Sequence, residues 1–152
     1  MAMTYREHIT YGAGTVIETV QYLLKNCYRL KALYQRGKEK ASYLKGESGL
    51  LLSEEEGRKA FFDSLGKTAD GILAELKDSG MSEKDYSSLT RVLKKRDYVV
   101  STYFVDNGYV LSKEEIAVYE SKITELDDIA KEAIRLNLAI SKEADKAYSL
   151  FA

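Results

Sequence analysis

The chain has 152 residues, with 23 Lys and Arg against 24 Asp and Glu, 31% charged residues, no proline and one cysteine. That length suits one domain burying roughly 70% of its unfolded surface, and the balanced charge excludes the net basic field that drives non-specific nucleic-acid binding. A single thiol excludes an intrachain disulfide, and the absence of proline beside many Leu, Ala, Glu and Lys points to long uninterrupted helices.

From Ile9 the apolar or small positions run Ile9, Ala13, Val16, Val20, Leu23, Cys27, Leu30, Tyr34, Gly37, Ala41 and Leu44, in alternating steps of four and three. This is a sustained heptad seam, the pattern of a long helix that lays one stripe against another helix. Gly46-Glu47-Ser48-Gly49 marks a loop, and Ser53 with Glu56 caps a segment carrying Ala60, Phe61 and Leu65. After Gly66 a further helix holds Ala69, Ile72, Leu73 and Leu76 and stops at Asp78-Ser79-Gly80. Ser82 with Asp85 starts the fourth, whose apolar set is Tyr86, Leu89, Val92, Leu93, Val99, Val100, Tyr103 and Phe104, ending at Asp106-Asn107-Gly108. A second seam follows the capping box of Ser112 and Glu115: Ile116, Tyr119, Ile123, Leu126, Ala130, Ala133, Asn137, Ile140, Ala144, Ala147 and Phe151.

The expected fold is therefore all-α, a helical bundle with two long helices (about 9–45 and 113–150) and three shorter helices between them, in a single domain over 1–152. Helices of about 35 residues reach roughly 50 Å, longer than a compact core requires, so they are expected to protrude or to pair with another chain. Asn137, polar on the second seam, is the position expected to set pairing register.

No segment approaches the run of about 18 apolar residues that a membrane helix needs, and the start carries no apolar signal region, so the expectation is a cytoplasmic protein with no membrane partner. Cys27 lies on the seam without a paired histidine and reads as a small core residue. One histidine, His8, cannot supply the Glu-x-x-His pairs of a helical di-metal site. No phosphate loop, dinucleotide fingerprint or nucleophile elbow occurs, and no cofactor or metal is expected.

The stretch that carries chemistry is Lys94-Lys95-Arg96-Asp97-Tyr98-Val99-Val100-Ser101-Thr102-Tyr103-Phe104. It follows a Leu65-Gly66-Lys67 turn, an Ile72–Lys77 helix and a Gly80-Met81 break, and it precedes a long final helix. In this order and pattern, strongest over 65–140, the chain resembles the HEPN family of small helical prokaryotic domains, many of them RNases or toxin components of defence systems. Active members of that family carry an arginine, usually followed by a polar residue, and a histidine about five positions later. Arg96 and Asp97 match the first part, and Ser101 stands in the place of the histidine. A serine hydroxyl does not exchange a proton near neutral pH as an imidazole does.

The resemblance implies a homodimer with two motif helices facing each other across a two-fold axis and a cleft between them. It makes Arg96, Asp97 and Ser101 the candidate catalytic or cleft-lining residues, with Asp97 and Ser101 bonding one another or holding Arg96 of the other chain. Arg91, Lys94, Lys95 and Arg96 form a local basic cluster for a protein partner, RNA or a nucleotide, and Tyr98, Tyr103 and Tyr109 are candidates to stack bases. Tyr22, Tyr28, Tyr34 and Tyr119 read instead as core-edge or interface packing.

Three functions fit these residues. The leading one is a HEPN-like dimer without the catalytic histidine, acting as a binding or regulatory component of a prokaryotic defence, toxin–antitoxin or mobile-element system. The second is a residual metal-independent RNase using Arg96. The third is a coiled-coil adaptor whose seams take a partner helix.

Overall fold

A computed structural model describes residues 4–44, 54–104 and 116–151. Within them lie five helices and no strand: α1 (Tyr5–Leu44), α2 (Glu54–Ser64), α3 (Ala69–Leu76), α4 (Glu83–Ser101) and α5 (Ile116–Phe151). This is the all-α bundle of two long helices that the patterning predicts. The Gly46–Gly49 loop, the Ser53 cap, the Asp106-Asn107-Gly108 turn, Tyr109 and the Ser112–Glu115 box lie outside the described residues.

Helix α1 begins four residues before the expected start. Thr4 and Glu7 explain this: the Thr4 hydroxyl accepts from the Glu7 amide and the Glu7 carboxylate accepts from the Thr4 amide, each at 3.1 Å. This reciprocal capping box satisfies two of the donors that a helix start leaves open. From Ile9 to Leu30 every position of the first seam is buried, and so are Tyr119, Leu126, Ala130, Ala133, Ile140, Ala144 and Ala147 of the second.

The two seams face each other within the chain. Tyr5 stacks on Tyr119 with ring centroids 5.7 Å apart, Asn26 bonds Asn137, and Arg29 reaches Asp145 at 2.9 Å. Partners rise in number together along both helices, so α1 and α5 run parallel, and theirs is the most extensive helix contact in the fold. Among the described residues each long helix supplies the other's apolar stripe, so the seams are filled within the chain.

The shorter helices pack against this pair and against one another. α2 runs antiparallel to α1 and approaches it at Gly57, where an added Cβ would stand 2.6 Å from Ala32 Cβ and 3.1 Å from the Tyr28 carbonyl oxygen. Only a hydrogen fits there. α3 ends in the turn at Gly80, which takes φ +85° and faces the Tyr34 ring so closely that a Cβ would lie 2.6 Å from it. The Ser82 hydroxyl accepts from the Asp85 amide at 3.1 Å and caps α4 as the sequence predicts.

α4 packs antiparallel to α1 and α5 and reaches its C-cap at Thr102, after which Tyr103 and Phe104 are again helical. The hydroxyls of Ser101 and Thr102 turn back onto the Asp97 and Tyr98 carbonyls at 2.6 and 3.3 Å, and the Thr102 amide still donates to the Tyr98 carbonyl at 2.9 Å. Of the tyrosines expected at the core edge, Tyr28 and Tyr119 are buried, whereas Tyr22 is an exposed surface ring. No helix among the described residues is long and apolar enough to cross a membrane.

Candidate functional site

The antiparallel course of α4 along α1 brings Arg96, Asp97, Val100 and Ser101 beside Ile17 and Gln21, and the Leu65–Thr68 turn closes the third side. Together they line a cleft of about 450 Å³. Its rim is aliphatic, with Leu65 42% and Val100 61% exposed, and its floor is the Arg96–Asp97 pair.

Arg96 is far from a free surface cation: its side chain is 12% exposed. Nε and Nη2 donate to Asp97 Oδ1 at 3.1 and 2.6 Å, and Nη2 also donates to the Lys67 carbonyl at 3.1 Å. The other Asp97 oxygen, Oδ2, accepts from the Ala69 amide at 2.7 Å. Thr68 occupies the N-cap position of α3 with extended backbone but makes no side-chain cap. Asp97 supplies that cap from the neighbouring helix, where a carboxylate also complements the positive end of the α3 dipole. The pair therefore fastens the α2–α3 turn to α4.

A second polar chain lies behind this turn. The Lys67 ammonium bonds Glu75, which also accepts from the Tyr28 hydroxyl at 2.6 Å. Burial alone would raise the Glu75 carboxyl, but hydrogen bonds from Lys67 and Tyr28 hold it below the usual carboxylate range. Burial and then the Glu75 carboxylate push the Tyr28 phenol above its ordinary value. Both cations beside the cleft, Arg96 and Lys67, are thus matched by carboxylates of the same chain.

The sequence candidates do not form one patch. Arg91 and Lys95 point the other way, to Glu132 on α5 at 3.4 and 4.0 Å. Lys94, Lys95 and Tyr98 line a separate groove of about 410 Å³ with Glu125, Asp128 and Ile129, where acidic groups face the lysines. The expected basic cluster is split by the helical turn between positions 95 and 96. Ser101 bonds the backbone carbonyl of Asp97, not its carboxylate, and Asp97 holds Arg96 of its own chain. Within the chain, therefore, the expected side-chain bond between Asp97 and Ser101 does not form, because the Ser101 hydroxyl takes the Asp97 carbonyl instead.

Tyr103 is fully buried, with its ring edge-on to Tyr98 at 5.9 Å and to Phe104 at 5.5 Å, so its face is not open to a base. Burial first, then the Glu125 carboxylate, push its phenol up to about 12. Cys27 is buried, and its thiol is pushed well up by desolvation, with Asp85 adding to the effect, as for a small residue packed in the core. His8 sits on α1 nine residues before Ile17, roughly 14 Å along the helix from the cleft wall. Sequence reasoning missed Ile17, Gln21 and Thr68 as cleft residues. Nothing in the local pattern marks them, because the antiparallel docking of α4 alone selects them.

Comparison of the chain with protein-family models, with curated proteins and with solved structures finds no match.

Proposed function

We propose that this chain is a HEPN-like helical module without the catalytic histidine, acting by binding as a regulatory homodimeric component of a prokaryotic defence, toxin–antitoxin or mobile-element system. The observation that supports a binding role over cleavage is the state of Arg96. Its guanidinium is tied to Asp97 and the Lys67 carbonyl, and Ser101, in the place of the motif histidine, turns its hydroxyl onto its own helix. Nothing in that set moves a proton at neutral pH. Exposed Leu65 and Val100 beside the cleft offer the apolar surface that a second protein surface buries. The RNase reading requires Arg96 to leave Asp97, and the adaptor reading requires seams that α1 and α5 already fill.

Sedimentation equilibrium over a hundredfold concentration range tests the dimer. The expected mass is twice that of the chain, falling to one chain when Leu65→Glu and Val100→Glu are combined. A concentration-independent monomer contradicts the proposal.

A further inference from the structure

The groups around Asp97 are those that hold oxyanions in proteins: a guanidinium and a helix-terminal amide converging on one position. Here a carboxylate of the same chain fills that position. Arg96 Nε and Nη2 meet Oδ1, and the Ala69 amide meets Oδ2, so both oxygens are engaged. The remaining cation beside the cleft, Lys67, is bound to Glu75. A phosphate entering between Leu65 and Val100 meets two lining cations, Arg96 and Lys67, that are each already paired with a carboxylate, and it is repelled by the Asp97 charge.

We propose that Asp97 determines which ligands this cleft rejects: seated on the guanidinium and the Ala69 amide, it excludes phosphate-type oxyanions from Arg96. This inference rests on the reading of the cleft as a binding site. Asp97 is tethered beside both donors and needs no separate binding step, which places an external anion at a standing disadvantage. Removing its carboxylate leaves the guanidinium and the Ala69 amide without their common acceptor and converts the floor into an anion site.

The test titrates inorganic phosphate, against sodium chloride of equal ionic strength, into the full chain and into Asp97→Ser and Asp97→Asn. The readouts are the Ala69 amide resonance and the thermal midpoint. The wild type is expected to show no saturable shift at Ala69. Asp97→Ser, which also opens space, is expected to bind phosphate tighter than the wild type by about tenfold or more, the scale of one charge-assisted hydrogen bond. That gain should disappear when Arg96→Gln is added. If Asp97→Ser folds only in phosphate, that rescue supports the proposal, because an anion bound to the native state restores stability by mass action. If it does not fold at all, Asp97→Asn decides, since it keeps the side-chain volume and a cap acceptor while losing the charge; it is expected to gain a weaker, Arg96-dependent phosphate response. Saturable phosphate binding at Ala69 of the wild type overturns the proposal, as does its absence from both variants. A monomer that gives the expected phosphate responses overturns only the proposed dimeric function; a dimer that fails to give them overturns only this inference.

Discussion

The Asn26 side-chain amide donates to Asn137 Oδ1 at 2.7 Å, joining α1 to α5 across 111 residues of sequence. Both side chains are half-buried, Asn137 on the second seam and Asn26 beside Cys27 of the first, so the bond links the two parallel helices at one register. Asn137, the position expected to set pairing register, finds its partner within the chain. Asn137→Ala should lower stability by about 1 kcal/mol, the usual net contribution of such a bond. A double-mutant cycle with Asn26→Ala, followed by urea unfolding, should give a coupling of about 0.5–1.5 kcal/mol. Strict additivity would mean that the bond contributes nothing.

Gly57 is the contact on which α2 leans against α1. Alanine favours a helix over glycine by about 1 kcal/mol, so an unconstrained Gly57→Ala would stabilise α2. The new methyl, however, meets Ala32 Cβ and the Tyr28 carbonyl oxygen, and a backbone oxygen cannot swing aside. The expected net effect is a loss of about 1–3 kcal/mol, as for overpacking elsewhere. An unchanged or raised denaturation midpoint would show that the two helices separate without cost.

The Lys67–Glu75–Tyr28 chain gives stability a pH dependence of defined sign. Because the folded Glu75 carboxyl is held below its ordinary value, its stabilising contribution is complete above about pH 4.3, the unperturbed value. It is lost as the pH falls through the lower folded value. The stability difference between wild type and Glu75→Gln should therefore be largest near pH 7 and shrink on acidification towards pH 3. A difference that stays constant over that range would show that the Glu75 charge is not what holds the chain together.

Cys27 provides an internal probe of opening. Its thiol is buried and its deprotonation is opposed by desolvation, so a disulfide reagent at pH 8 should label it only as fast as the bundle opens. Labelling should become immediate in denaturant. Rapid labelling of the folded chain would place the first seam in solvent.

Much of the fold is legible in the sequence because heptad spacing states which face of each long helix is apolar. The seam from Ile9 to Leu30 and the Ser82 cap are where the spacing puts them. Periodicity does not state which helix meets which, so the parallel pairing of α1 with α5 had no local signature. The Thr4-Tyr5-Arg6-Glu7 capping box was present in the sequence, but a reading that starts at the first seam residue passes over it. At the cleft, Arg96, Asp97 and Ser101 are picked out by spacing, whereas the contacts that define them are long-range. Asp97 caps a helix 28 residues earlier and Arg96 bonds a carbonyl 29 residues earlier, and no pattern local to α4 contains either. The basic run misled because successive residues on a helix point about 100° apart, which sends Lys95 to α5 and Arg96 to the α2–α3 turn.

The claim that Arg96 is a structural tie in a binding module, rather than a catalytic group, is tested most directly by incubating purified chain with mixed RNA substrates in chelator. Arg96→Ala and Ser101→His are run alongside, with circular dichroism confirming that each is folded. The account predicts intact RNA with the wild type and with Arg96→Ala. Cleavage by the wild type that Arg96→Ala abolishes while remaining helical would contradict it and make the chain a nuclease that works with serine at position 101.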